Sequence, residues 1–174
     1  MTHVYSIVSP LVGSIETCSL SELSQNLKPN CILCELNTDG TLIDSWPLVH
    51  ETLVTFAVEF ADYARLNYSK KKLPKAEACI ALTRKWLENH DSVSNEELRV
   101  AAYAAYAAVA VADASRANAA ASRAAYAAAT AADAAAYAAY AAVAVADAAG
   151  DDEKNREAEL IRQGQFIVEH LRAV

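Results

Sequence analysis

The chain has 174 residues, 54% of them apolar, with a formal net charge of −7. That length suits one domain, and the apolar content supports a core, although alanine inflates the figure because each one buries little area. The acid excess would repel phosphates, which argues against a nucleic-acid partner and is compatible with a basic protein partner.

The first residues, MTHVYSIVSPLVG, carry neither a basic start nor a long apolar run, so no secretory signal is expected. Residues 3–8 read as a third strand, 19–26 as a short helix, and 31–36 with 41–44 as a β-hairpin turned by Asn37-Thr38-Asp39-Gly40. Cys31-Ile-Leu-Cys34 is a CxxC, but its apolar flanks suit a strand with packed thiols. A zinc site would need two further ligands at a convincing spacing, and a redox motif should open a helix.

From Ser45 onward the pattern is helical. Pro47 suits a first-turn position. Val49, Leu53, Phe56, Phe60, Tyr63 and Leu66 form an apolar stripe that carries a helix to about Tyr68. The basic run of Lys70, Lys71 and Lys72 reads as a solvated helix end. Pro74 opens a second helix with Ala76, Cys79, Ile80, Leu82, Trp86 and Leu87 on its buried face, ending near Asn89 and His90. Ser94 and Glu97 fit a capping box at the start of a third. Gly150 closes the alanine-rich region, and a last helix over about 151–172 carries Leu160, Ile161, Phe166, Ile167, Val168 and Leu171.

Between Ala101 and Ala149, 31 of 49 residues are alanine, and the string AAYAAYAAVAVADA at 101–114 recurs without change at 135–148. The offset of 34 residues would rotate the second copy by roughly 160° on one continuous helix. Two helices, 95–113 and about 117–149, let the copies share a surface. Five charged residues (Asp113, Arg116, Arg123, Asp133 and Asp147) interrupt the stretch and exclude a membrane span. The expected fold is mainly α: an antiparallel bundle of about five helices with alanine-rich central helices over 46–174. Residues 1–45 would form a small N-terminal β-hairpin or α+β appendage.

On a helical wheel Arg99, Tyr103, Tyr106 and Asp113 fall within about 80° of arc. On the second helix Arg123, Tyr126, Thr130, Asp133, Tyr137, Tyr140 and Asp147 lie within an arc of roughly 140° that also holds Arg116. The stripe has two readings. It is a half-solvated face with charges paired at helical spacing, or a recognition surface, since tyrosine with arginine is common hot-spot chemistry. Catalysis is poorly supported, because the stripe holds no histidine or cysteine and no nucleophile–base pair. No metal ligands at a suitable spacing and no cofactor motif stand out.

Residues 46–172 resemble the alanine-rich immunity-type proteins of bacterial polymorphic toxin systems, a type-five-like immunity domain also found in phage genomes. The resemblance is carried by Phe56-Ala-Val-Glu-Phe60-Ala-Asp-Tyr63-Ala-Arg65, by Pro74-x-Ala76 leading to Arg84-x-Trp86-Leu87, and by Ala121-Ser-Arg123 through Tyr126 and Thr130 to Asp133. Family members commonly have histidine where this chain has Tyr126 and Asp133, so no histidine-based role is implied here. The family implies a small helical protein that neutralises a toxin by direct binding in the cytoplasm of a bacterial or phage-infected cell, with no catalytic residues. Two alternatives stand beside it: a ligand-sequestering module with a cleft lined by Tyr103, Tyr106, Tyr137 and Tyr140, and a structural helix pair that forms a homodimer.

Overall fold

The computed structural model describes residues 4–11, 13–68, 73–111, 126, 144–146, 149 and 153–173. Four strands come first: β1 (Val4–Ser9), β2 (Ser14–Cys18), β3 (Cys31–Leu36) and β4 (Leu42–Leu48), with helix α1 (Leu20–Leu23) between β2 and β3. Helices α2 (His50–Asn67), α3 (Pro74–Glu88), α4 (Asn95–Val111) and α5 (Glu153–Ala173) follow, with a 3₁₀ turn at His90–Ser92. The strands form one antiparallel sheet in the order β2-β1-β3-β4.

This α+β architecture corrects the expectation of a mainly helical bundle with a small appendage. One apolar cluster takes in Tyr5, Ile7 and Leu33 of the sheet together with Phe56 and Phe60 of α2, Ile80 of α3, Leu98 of α4 and Ile167 of α5. The expected boundary at 45/46 falls inside β4. Alternation places Tyr5, Ile7, Cys31, Leu33 and Leu48 toward the helices. The opposite face, with Val4, Ser6, Val8, Ile15, Thr17, Ile32, Cys34, Leu36, Ser45 and Pro47 in register, is uncharged.

The 37–40 turn is as expected, with Gly40 at φ +84° and its N–H donating to the Asn37 carbonyl at 2.9 Å. Strand β2 is an addition to the expected elements. Its five residues are mostly exposed, and pairing with β1 defines it. Helix α1 is shorter than the expected 19–26, ending at Leu23. Pro47 lies in β4 rather than in a helical first turn. β4 is an edge strand, where one side of the backbone is unpaired and proline is tolerated. Helix α2 therefore begins only at His50, after the extended Val49.

α2 is buried over more than one stripe, at Leu53, Val54, Phe56, Ala57, Val58, Phe60, Ala61 and Ala64, while Val49 and Leu66 are exposed. A helix buried this widely lies between other elements. Phe166 of α5 meets Phe56 and Phe60 edge-on at 6.1 and 5.9 Å between centroids. Pro74 opens α3 as expected. The Ser94 capping box is formed: Glu97 N–H donates to Ser94 Oγ at 3.2 Å, and Ser94 N–H donates to Glu97 Oε2 at 2.9 Å. Among the described residues no helix is long and apolar enough to cross a membrane.

Candidate functional site

The first half of the tyrosine stripe lies on α4. Leu98, Ala102 and Ala105 are buried, while Arg99 and Tyr103 are exposed on the other side. Tyr103 is 61% exposed, and Val100 beside it is exposed too. Arg99 Nη2 bonds Glu96 one turn earlier, an ordinary pairing on a solvated face. Tyr126, from the second half of the stripe, is partly buried against the core, and its ring lies 6.5 Å from that of Tyr103. The structure thus brings one residue from each half together. Tyr106 lies on α4 with its side chain outside the described residues. Asp113, Arg116, Arg123, Thr130, Asp133, Tyr137, Tyr140 and Asp147 lie outside them altogether, as do the expected turn near 113–118 and most of the 117–149 helix.

Two polar clusters were not singled out from the sequence. The first lies between α2 and α3. Arg65 bonds Asp62 Oδ1 through Nε at 2.9 Å and Glu77 Oε1 through Nη1 at 3.2 Å. Arg84 Nη2 reaches Glu59 Oε1 and Asp62 Oδ2, each at 2.9 Å. Each arginine therefore bridges two carboxylates. Burial pushes the Asp62 pKa up, but the hydrogen bonds and charges of Arg65 and Arg84 outweigh it and hold the group below the usual aspartate value. Asp62, Arg65, Glu77 and Arg84 line a groove of about 500 Å³ with Lys85 and Glu88. Its three cations face three carboxylates, and Arg65 and Arg84 each already bridge two of the cluster's carboxylates.

The second cluster joins α2 to α5. The Glu159 side chain is 1% exposed and accepts four hydrogen bonds. Tyr68 Oη donates at 2.6 Å and Gln163 Nε2 at 3.0 Å. Arg162 donates through Nε at 2.9 Å and Nη2 at 2.6 Å. Arg162 Cζ sits 3.4 Å above the centre of the Tyr63 ring, a cation–π contact that fixes the guanidinium plane. Burial, and then the bond to Glu159, push the Tyr68 phenol pKa up, keeping it protonated as a donor. The i, i+3 spacing of Glu159 and Arg162 was visible in sequence, but Tyr68 lies 91 residues from Glu159, and nothing local announces that contact.

The CxxC does not form a site. Cys31 is buried toward the helices, whereas Cys34 lies on the opposite sheet face, and both thiols are free. Among the described residues no group of three or more His, Cys, Asp or Glu is placed to hold a metal ion.

The fold and these surfaces define an α+β protein with an exposed tyrosine-bearing helix and a buried Tyr–Arg–Glu cluster. Comparison with protein-family models, with curated proteins and with solved structures finds no match to this chain.

Proposed function

We propose that this chain is a non-enzymatic, immunity-like binding protein. In this reading it neutralises a toxin or a defence or counter-defence effector by direct contact in a bacterial or phage-infected cytoplasm. The observation that carries the reading is Tyr103, 61% exposed on α4 with the Tyr126 ring beside it. A large aromatic side chain with few internal degrees of freedom, next to an arginine, is the chemistry of an interface anchor. The net charge of −7 favours a basic partner and disfavours nucleic acid.

The test is affinity capture from the native cell with wild type, Tyr103→Ala and Arg99→Ala, followed by measurement with the purified partner. Binding should weaken by about tenfold or more for Tyr103→Ala, the loss of a hot-spot aromatic. Equal binding by both variants would remove the proposal. Light scattering on the same samples separates the homodimer: a dimer that Tyr103→Ala converts to monomer would assign this face to self-association instead.

A further inference from the structure

The Tyr63–Tyr68–Glu159–Arg162 cluster holds more order than a structural ion pair requires. Glu159 uses only the Nε/Nη2 side of the Arg162 guanidinium. The end-on edge formed by Nη1 and the second Nη2 hydrogen has no protein acceptor among the described residues. Arg65 and Arg84 provide the comparison within the same molecule, since each of them bridges two carboxylates. Arg162 holds one, and its side chain remains 29% exposed.

The guanidinium lines a groove of about 380 Å³ walled by Tyr63, Tyr68, Ala149, Asn155 and Ala158. That volume is within the range of small-molecule sites, roughly 300–1,000 Å³. Arg162 also lines a neighbouring depression of about 200 Å³, but Glu59 and Asp62 stand there and would repel an anion. On the larger side Glu159, already saturated by four donors, is the one carboxylate among the described residues of the wall. Arg162 thus stands in the wall of the larger groove next to two aromatic rings and the methyl groups of Ala149 and Ala158, its plane fixed by Glu159 and Tyr63. A fixed guanidinium edge matches a carboxylate with two parallel hydrogen bonds.

We propose that this groove binds a small monocarboxylate, held end-on by Arg162 with its apolar body against Tyr63 and Tyr68. The site is separate from the α4 face and stands or falls independently of partner binding. Glu159 and Tyr63 act as positioning residues, fixing the guanidinium before the ligand arrives and so reducing the entropy lost on binding.

Benzoate is the probe, with benzamide as its neutral counterpart and inorganic phosphate as the alternative oxyanion. The readout is the NMR signal of the Arg162 Nε–H group, assigned by its loss in Arg162→Lys, together with calorimetric titration. The proposal expects saturable benzoate binding that moves this signal, with benzamide and phosphate at least about tenfold weaker, the cost of a missing charge-assisted pair. Arg162→Lys should weaken benzoate by a similar factor. Ala158→Leu, on an exposed helix position that leaves the ion pair intact, should block the groove without unfolding the chain. No saturable benzoate binding to wild type overturns the proposal. So does equal binding of benzamide, tighter binding of phosphate, or unchanged affinity in Ala158→Leu.

Discussion

Glu35, wholly buried near the end of β3, is ion-paired at 2.5 Å with Arg172 in the last turn of α5, 137 residues later. Glu35 points to the helix side of the sheet, opposite Tyr5 in β1 and Asp44 in β4. The pair therefore fastens the sheet to the end of the chain. Arg172→Ala should cost about 2 kcal/mol, because it takes the arginine away from a carboxylate that is wholly buried. The figure sits below that for a fully buried pair because the arginine is half-exposed. Urea unfolding checks this. Glu35→Gln combined with Arg172→Ala should cost less than the two single changes summed. Strict additivity would show that the two residues do not act as a pair.

Gly164 lies where α5 passes α1. A Cβ at this position would stand 2.1 Å from the Leu20 carbonyl oxygen, a backbone atom that cannot swing aside. Helix propensity alone predicts that Gly164→Ala stabilises α5 by up to about 1 kcal/mol. Packing predicts the reverse, and the overlap decides it: the variant should lose about 1–3 kcal/mol as α1 is forced outward. A raised melting temperature in the alanine variant would contradict the close approach of the two helices.

Stability should fall on the acid side because of Asp62. Arg65 and Arg84 hold its folded pKa below that of the unfolded chain, so the unfolded state binds the proton first as pH drops. The stabilisation is complete above the unfolded value of about 4 and is lost as pH falls through the folded value. Glu22 and Glu97, lowered by hydrogen bonds from Ser19 and Ser94, act in the same direction. Asp62→Asn should lower stability at neutral pH and flatten the decline below pH 4 or so. An unchanged acid limb would show that the Asp62 network contributes nothing to folding.

The thiols should react in a fixed order. Burial pushes Cys79 up to about 12, and burial followed by the charges of Glu22 and Glu16 pushes Cys18 up to about 11. Both stay as unreactive thiols near neutral pH, since the thiolate is the nucleophile. Cys34, on the open sheet face and only partly buried, should be the fast-labelling thiol of the native chain, and Cys34→Ser should remove that phase. Native Cys79 labelling as fast as Cys34 would rule out the packing around α3.

Local chemistry made several elements legible. Pro74 at the first position of α3, the Ser94–Glu97 box and the Asn37–Gly40 turn act through groups within a few residues of one another, so their geometry follows from sequence. The grouping of Arg99 with Tyr103 on one side of α4 is a matter of helical spacing, and both side chains are exposed. The sheet was harder to foresee. Ser14–Cys18 and Pro47 have no strong strand signature, and it is pairing with β1 and β3 that makes them strands. The Arg162 cluster was invisible for the same reason, since Tyr63 comes from α2, Tyr68 from the residue that caps it, and Glu159 from α5.

The sequence by itself determined the starts of α3 and α4, the hairpin turn and the grouping of Arg99 with Tyr103 on one side of α4, all of which depend on interactions over a turn or two. Only the tertiary structure decided that the N-terminal strands share a core with the helices. It also decided that Glu35 meets Arg172, and that a rigid arginine stands in a groove beside two tyrosines. Those outcomes depend on which distant surfaces exclude water together, and no local pattern encodes that choice.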